Sequence, residues 1–228
     1  MTKELFAKLK RRLIVSCQAR KGQPFDSPHL LSLFAKAAEL GGAGGIRANT
    51  PANIEAIKNA VDLPIIGILK RHIQGREVFI TPELVDAVAV AEACADIVAL
   101  DCTLREHREH EVRDIVAELR SKYQVALMAD VSTLKEALFA QELGFDFVAS
   151  TLVGFTSYTS HCREFSLELL RKMSNDLTVP VIAEGHIRTP EQAGEAIKAG
   201  AFAVVVGKAI TMPSEITKWF VDEIKSSH

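Results

Sequence analysis

The chain has 228 residues, of which 48% are hydrophobic and 25% charged, a composition typical of a globular protein rather than a disordered or fibrous one. Lys and Arg number 27 against 29 Asp and Glu, and the formal net charge of −2 lacks the basic excess expected of a protein that binds nucleic acid. No apolar stretch approaches the ~20 residues that cross a bilayer, and the four cysteines form no Cys-x-x-Cys pair. We therefore expect a soluble, cytoplasmic protein with a single domain over residues 1–228 and no nucleic-acid or membrane partner.

Eight short apolar runs alternate with amphipathic segments rich in Ala and Leu. Each run is apolar nearly throughout, as expected of a parallel strand that is buried on both faces, and the alternation is typical of βα units. The runs are Leu13–Gln18, Gly44–Arg47, Pro64–Lys70, Asp96–Asp101, Gln124–Asp130, Phe145–Ser150, Val179–Glu184 and Phe202–Gly207. The second run is the weakest of these strand predictions.

Short motifs indicate where the helices begin and end. Ser or Thr before Pro supplies an N-cap oxygen and a first helical residue, which predicts helix starts at Ser27-Pro28, Thr50-Pro51, Thr81-Pro82 and Thr189-Pro190. The spacings Thr133 to Glu136 and Thr189 to Gln192 predict capping boxes. Glycines placed before the next strand predict left-handed helix ends at Gly41, Gly144 and Gly200.

Eight such units in the chain give roughly 28 residues per unit, which is compact but suits an α/β protein with the (β/α)8 TIM-barrel fold. A doubly wound open sheet is the competing fold. We favour the barrel because no Gly-x-Gly-x-x-Gly turn follows the first run and because polar residues end most of the runs.

The carboxyl ends of the predicted strands bring chemically reactive groups to one mouth. These groups are Gln18, Arg47, Lys70, Asp101, Asp130, Thr151 and Glu184. An amine, a guanidinium and several carboxylates together suit proton transfer next to a carbonyl group. The loops after the last two strands, Glu184–His186 and Val206–Lys208, offer glycine backbone and a lysine to an anion, which predicts a phosphate site.

Eight segments of the chain carry a resemblance to a known family, over nearly the whole length. They are Ser16–Gln18, Gly45–Asn49, Gly67–Lys70, Leu100–Thr103, Met128–Thr133, Thr151–Thr156, Ala183–Ile187 and Val206–Thr211. In these segments the chain resembles the N-acylmannosamine-6-phosphate 2-epimerases, (β/α)8 enzymes of bacterial sialic acid salvage.

The resemblance implies a reversible inversion at C2 that converts N-acetylmannosamine 6-phosphate to N-acetylglucosamine 6-phosphate, without a metal or an organic cofactor. It implies that Lys70 and Glu184 are the catalytic pair. The substrate-binding residues it implies are Gln18, Arg47, Asp130 and Thr151. The residues expected to bind the phosphate are Gly185, His186, Gly207 and Lys208.

Two of these assignments have alternatives. Lys70 can act as a base only if its pKa falls from ~10.4 toward neutrality, which burial and a nearby Arg47 favour and a contacting Glu184 opposes. The alternative is a buried salt bridge between Lys70 and Glu184. For Asp130 the alternative is capping of the next helix through Ser132 and Thr133, or orienting a neighbouring residue. The planar fork of Arg47 is expected to hold a substrate oxygen.

The chain departs from the family pattern after the eighth run. Family members commonly carry Arg where this chain has Met212, and a small residue where it has Lys208. We therefore expect Lys208 to replace part of the missing charge. His186 stands where a basic residue is common, and it is expected to be cationic beside a phosphate if its pKa is raised.

Two further segments allow more than one interpretation. The polar run Arg105–Glu111 contains a His-x-x-His spacing, which we interpret as a solvated helix start and not as a metal site. The last helix carries an apolar stripe that either packs on the barrel or contacts a partner chain in a homodimer; its residues are Ile216, Trp219, Phe220 and Ile224. The other functions that fit are a different phosphosugar isomerase or lyase on the same fold, or a weakened sugar-phosphate binding protein.

Overall fold

Eight parallel strands close into a barrel in which β1 pairs with both β2 and β8. The computed structural model describes residues 2–227, so residues 1 and 228 of the predicted domain range lie outside the described residues. The strands are β1 Leu13–Cys17, β2 Gly45–Asn49, β3 Ile65–Ile68, β4 Ile97–Asp101, β5 Ala126–Asp130, β6 Phe147–Ala149, β7 Val181–Ala183 and β8 Ala203–Val206. All eight predicted runs are strands, and the (β/α)8 fold is confirmed.

Helices follow the strands and surround the barrel. They are α1 Thr2–Leu9, α2 Pro28–Leu40, α3 Pro51–Lys58, α4 Leu84–Glu92, α5 Glu109–Lys122, α6 Leu134–Glu142, α7 Leu167–Asp176, α8 Pro190–Lys198, α9 Lys208–Thr211 and α10 Pro213–Ser226. In the part of the chain described, none of them is long and apolar enough to span a membrane.

The side chains of each strand alternate between two hydrophobic clusters. One cluster fills the barrel and includes Ile14, Ile66, Met128, Phe147 and Ile182. The other lies between the strands and the surrounding helices. Successive residues of a strand point to opposite faces, so every second residue counted from a member of the first cluster also points into the barrel.

Helix α1 covers the amino end of the barrel. The Phe6 ring lies 4.7 Å from the ring of Phe147 and 5.5 Å from that of Phe202, and Leu9 is fully buried. Aromatic pairs at this separation add to the burial of apolar area. This end of the barrel is therefore an apolar core.

The predicted helix starts are partly confirmed. Ser27, Thr133 and Thr189 each accept a backbone hydrogen bond at the start of their helix, and the last two form the expected capping boxes. Thr50 precedes α3 but makes no side-chain cap. The predicted start at Thr81-Pro82 is wrong, because α4 begins at Leu84 with a capping box formed by Glu83 and Asp86.

The predicted helix ends are also partly confirmed. Gly144 and Gly200 have the expected left-handed backbone, with φ of 82° and 106°. Gly41 does not, since its φ is −75° and Gly42 takes the left-handed position instead, with φ of 87°. The prediction for the end of α2 was therefore one residue early.

Candidate active site

The inward-facing positions of the strands lead to charged groups at the carboxyl end of the barrel. Ala126 and Met128 of β5 belong to the inner cluster, so Asp130, two residues further, points inward as well. The same alternation carries Arg47 and Asn49 of β2 inward, because Ile46 and Ala48 belong to the outer cluster. The same alternation continues just past the ends of the other strands. It places five further residues at the same mouth of the barrel: Gln18, Lys70, Thr151, Glu184 and Gly207.

Arg47 is the centre of a buried ion cluster. Its side chain is 1% exposed, and its Nη1 and Nη2 atoms donate to the two oxygens of Asp130 at 3.0 and 2.5 Å. Nη1 also donates to Glu184 Oε2 at 2.5 Å. Burial alone lowers the pKa of Arg47, but the two carboxylates outweigh it and raise the pKa above its ordinary value. The guanidinium is therefore a fixed charge that organises two carboxylates.

The planar guanidinium of Arg47 was predicted to hold a substrate oxygen. In the structure its Nη1 and Nη2 atoms instead bond the carboxylates of Asp130 and Glu184. Of the three guanidinium nitrogens of Arg47, Nε alone lacks a hydrogen-bond partner within residues 2–227. Asp130 likewise does not cap the next helix. Thr133 caps that helix, and Glu136 completes the capping box by accepting hydrogen bonds from the backbone N–H groups of Ser132 and Thr133 at 2.7 and 2.9 Å. Asp130 instead orients a neighbour, Arg47.

Glu184 presents one free oxygen to the mouth. Its Oε2 is held by Arg47 and lies 3.1 Å from the Thr151 hydroxyl, whereas Oε1 accepts no hydrogen bond within residues 2–227. Burial raises the pKa of Glu184 above its ordinary value, and the charge of Asp130 adds to that rise, while Arg47 opposes it. The carboxyl group is therefore held in place but inclined to accept a proton.

Lys70 approaches the same cluster from β3. It lies in the loop after that strand, is open to solvent at the mouth, and forms no ion pair within 4.0 Å in the described part of the chain. Desolvation by the surrounding protein and the charge of Arg47 lower the pKa of Lys70 to about 8. The predicted lowering is present, and the salt bridge to Glu184 that was the alternative is not.

Gln18 and Asp101 are held by their own neighbourhoods. Gln18 Nε2 donates to Ser16 Oγ at 2.7 Å, which orients the amide at the end of β1. Asp101 is fully buried; it accepts from Thr103 Oγ1 at 2.7 Å and from Arg105 Nη2 at 2.6 Å. Asp101 therefore anchors the loop after β4.

The charged run Arg105–Glu111 is not simply solvated, contrary to the prediction. Arg105 and Arg108 are buried, and their guanidinium groups bond the carbonyl oxygens of Glu77 at 3.0 Å and Pro82 at 2.5 Å. These two arginines fix the loop that carries Lys70, a role that hydropathy could not reveal. No group of three or more His, Cys, Asp or Glu suited to a metal occurs in residues 2–227.

The predicted phosphate loops lie beside each other after β7 and β8. Gly185 has a φ of 99°, and Lys208 is exposed at the start of α9. The His186 ring lies 5.5 Å from that of Phe155, and its Nε2 lies 3.2 Å from the carbonyl oxygen of Val153. Burial lowers the pKa of His186, opposite to the direction that would make it cationic in this structure.

Sequence reasoning missed two residues at the mouth, Asn49 and Thr81. Asn49 Oδ1 accepts the backbone N–H of Lys70 at 2.8 Å. Thr81 is fully buried, has a φ of 47°, and its Oγ1 accepts the backbone N–H of Leu69 at 3.1 Å. A positive φ in a β-branched residue costs about 1–3 kcal/mol, and it explains why Thr81 does not begin a helix.

A closed (β/α)8 barrel with a lysine, an arginine and two carboxylates at the carboxyl end of its strands has the arrangement of a barrel enzyme that transfers protons. The family model described as "Putative N-acetylmannosamine-6-phosphate epimerase" matches residues 31–226. The chain belongs to this N-acetylmannosamine-6-phosphate epimerase family.

Individual relatives agree with the family match. A protein of Shouchella clausii named "Putative N-acetylmannosamine-6-phosphate 2-epimerase" is 46% identical over 221 residues, which is 96% of this chain and 97% of the relative. A protein of the same name from Enterobacter sp. is 45% identical over 222 residues, 96% of this chain and 94% of the relative. The solved N-acetylmannosamine-6-phosphate 2-epimerase of Clostridium perfringens has a TM-score of 0.91 at 40% identity, and the match covers 96% of this chain and 95% of that one.

Proposed function

We propose that this protein inverts C2 of N-acetylmannosamine 6-phosphate to give N-acetylglucosamine 6-phosphate, in the breakdown of sialic acid and related amino sugars. The names of its relatives support the substrate. One observation carries the chemistry: a lysine with a lowered pKa and a glutamate with a raised pKa face one mouth without an ion pair between them. Two groups whose pKa values are shifted toward neutrality from opposite sides are suited to exchange protons with a substrate.

The reaction requires removal of the C2 proton from the open-chain form of the sugar. Only there does the neighbouring C1 aldehyde take up the negative charge as an enolate. The Lys70/Glu184 pair removes the proton and returns one to the opposite face of C2. With a pKa of about 8, Lys70 has a useful neutral fraction at physiological pH, and its ammonium form can stabilise the enolate oxygen.

Arg47 and Asp130 act on the reaction through Glu184. The guanidinium holds Glu184 Oε2 at 2.5 Å, so Oε1 is the oxygen left to face the substrate. Asp130 balances the charge of Arg47, and Thr151 lies within hydrogen-bond distance of both carboxylates, at 2.6 and 3.1 Å. We infer that Gln18 and Thr151, both only half-buried at the rim, contact the sugar directly.

The phosphate is proposed to bind between the loops after β7 and β8, through Gly185, His186, Gly207 and Lys208. An anion there would draw the His186 pKa back upward. The Met212→Arg variant tests whether Lys208 compensates for the missing family arginine. We expect its KM to fall severalfold, and an unchanged KM would show that position 212 does not contribute to binding.

The experiment that tests the function is a proton NMR time course in D₂O with N-acetylmannosamine 6-phosphate. We expect the gluco epimer to appear with deuterium at C2, and we expect turnover to persist after treatment with EDTA. The controls are Lys70→Met and Glu184→Gln, which should remain folded and form neither signal. Binding without epimer or deuterium would instead indicate a sugar-phosphate binding protein, and a different product would indicate another isomerase or lyase.

We further propose that the protein is a cytoplasmic homodimer of single-domain chains. A phosphorylated sugar does not cross membranes unaided, which supports the compartment. The stripe on α10 is divided: Ile216 and Trp219 are half-buried, and Arg188 lies over the Trp219 ring at 5.6 Å, whereas Phe220 and Ile224 are 68% and 63% exposed. Sedimentation of wild type and of Phe220→Glu tests whether a second copy covers this outer half.

A further inference from the structure

Asn49 is the last residue of β2 and shares that strand with Arg47. Both point inward, since the residues between and before them, Ala48 and Ile46, belong to the outer cluster. The Oδ1 atom of Asn49 accepts the backbone N–H of Lys70 at 2.8 Å. A peptide N–H is a donor only, so the oxygen and not the amino group of the amide must face Lys70. The orientation of the Asn49 amide is therefore fixed.

The backbone on either side of Lys70 is held differently. Leu69 exchanges hydrogen bonds with Thr81, at 3.1 Å from its N–H to Oγ1 and at 2.8 Å from the Thr81 N–H to its carbonyl oxygen. The Arg71 N–H bonds the Phe79 carbonyl oxygen at 2.9 Å. These partners belong to the same loop, which Arg105, Arg108 and the Asp101 N–H hold to the end of β4 and the segment after it. Among the hydrogen bonds of residues 2–227, the bond to Asn49 is the one that connects residues 69–71, at Lys70 itself, to the strand that carries Arg47.

The residue after Asn49 has an unusual backbone. Thr50 has a φ of 79° and a ψ of 144°, a region that β-branched residues rarely adopt. Its N–H nevertheless bonds the carbonyl oxygen of Ile68 at 2.9 Å. The pairing of β2 with β3 is therefore kept up to the end of both strands. This pairing places Asn49 beside Lys70.

From this geometry we propose that Asn49 is a positioning residue, which sets the place of Lys70 relative to the Arg47–Glu184 cluster through a hydrogen bond to the Lys70 backbone. The inference rests on the proposed function, in which Lys70 belongs to the pair that moves the C2 proton. Without the bond, the Lys70 loop keeps its internal hydrogen bonds and its attachment through Arg105 and Arg108, but the Lys70 backbone itself is no longer tied to β2. Lys70 then remains present, but it is held less accurately over C2.

The test compares Asn49→Ala with Asn49→Asp. Alanine removes the acceptor, and we expect kcat to fall at least tenfold while KM changes less than threefold. Aspartate keeps an acceptor oxygen and adds a negative charge near Lys70, so its pH profile should shift to higher pH while kcat at the plateau stays within about threefold of wild type. Rescue by Asp and not by Ala is the signature of positioning through an accepted hydrogen bond.

Asn53→Ala is the matched control. Asn53 is a buried asparagine whose Nδ2 donates to the Asn49 carbonyl oxygen at 2.7 Å, so this variant also loses one hydrogen bond at the same place. We expect it to lower stability without lowering kcat. An equal loss of kcat in Asn53→Ala and Asn49→Ala would overturn the proposal, as would an Asn49→Ala variant with kcat within twofold of wild type.

A second measurement does not depend on turnover. Competitive labelling of lysines with acetic anhydride across pH reports the titration of Lys70, with exposed Lys208 as an internal reference in the same digest. We expect Lys70 to titrate at higher pH in Asn49→Ala than in wild type, because it is no longer held beside Arg47. If wild type forms no epimer and no C2 deuterium, the proposed function fails; if it does and Lys70 titrates identically in both proteins, only the role of Asn49 fails.

Discussion

Each end of this barrel buries side chains, but the buried groups at the two ends differ in chemistry. The amino end is closed by the rings of Phe6, Phe147 and Phe202, and apolar groups are stable there without specific partners. The carboxyl end buries Arg47 and Asp130, which are tolerated only because they satisfy each other. The comparison teaches that the amino end can be changed at the cost of stability alone, whereas changes at the carboxyl end alter charge balance and chemistry together.

The strongest test of this contrast replaces one lysine at each end of the barrel with methionine. Lys70→Met should lower kcat by about 10²–10⁴-fold, the range for loss of a general base. It should not lower the melting temperature at neutral pH, because the Lys70 ammonium has no ion-pair partner in residues 2–227 and its lowered pKa means that the charged form opposes folding. Lys58→Met removes a lysine that pairs with Asp96 at 2.6 Å outside the mouth, and it should leave kcat unchanged. Steady-state kinetics and thermal unfolding of both variants decide the matter; a fully active Lys70→Met enzyme would remove Lys70 from the mechanism.

The next largest effect concerns the buried ion pair. Asp130→Leu leaves Arg47 without its bidentate partner and should cost about 3–5 kcal/mol in the free energy of unfolding, together with the activity. The double variant Arg47→Met/Asp130→Leu removes both of these charges and should recover part of that stability, though not all because Glu184 also loses its bond to Arg47, and it should recover none of the activity. Urea unfolding measures the first effect. Equal instability of the single and double variants would mean that the pair is not the source of the loss.

A smaller effect is expected in the pH dependence of kcat/KM, which should change about tenfold per pH unit. On the proposed mechanism, with the neutral amine of Lys70 taking the C2 proton at a pKa of about 8, kcat/KM should rise with pH up to that value and fall about tenfold for each unit below it. The folded protein holds Lys70 below the ordinary pKa of 10.5, so the unfolded chain binds more protons between these two values and stability should rise with pH there. Lys70→Met should remove this rise. A flat kcat/KM from pH 7 to 9 would contradict the assignment.

The smallest expected effect lies in the apolar interior. Ile66 is fully buried within the barrel, and Ile66→Val should cost about 0.5–1.5 kcal/mol of stability. Its kcat/KM should stay within twofold of wild type, as determined by denaturation and kinetics on the same preparation. A larger kinetic effect would show that packing in the barrel interior and geometry at the mouth are coupled, and that the two ends are less independent than their composition indicates.

The sequence was most informative where the signal is local. Apolar runs indicated all eight strands because burial on both faces leaves few polar residues. The ends of those runs indicated which polar residues meet at the mouth, Lys70 and Glu184 among them. The partners of Arg47 were not predictable: Asp130 and Glu184 lie 83 and 137 positions away, and only closure of the barrel brings them together. Thr81 was misassigned because the backbone hydrogen bonds of the Lys70 loop outweigh a local preference for starting a helix.

Arg47 also limits how this protein could acquire new specificities. From β2 its guanidinium bonds a residue of β5 and another just beyond β7, so it spans the mouth and fixes the mouth's width. A sugar with a bulkier acyl group could not be admitted by spreading the strands without breaking these bonds. Adaptation to such substrates is therefore expected through length and sequence changes in the loop after β6, beyond Thr151, which can change while the charged groups of the mouth stay the same.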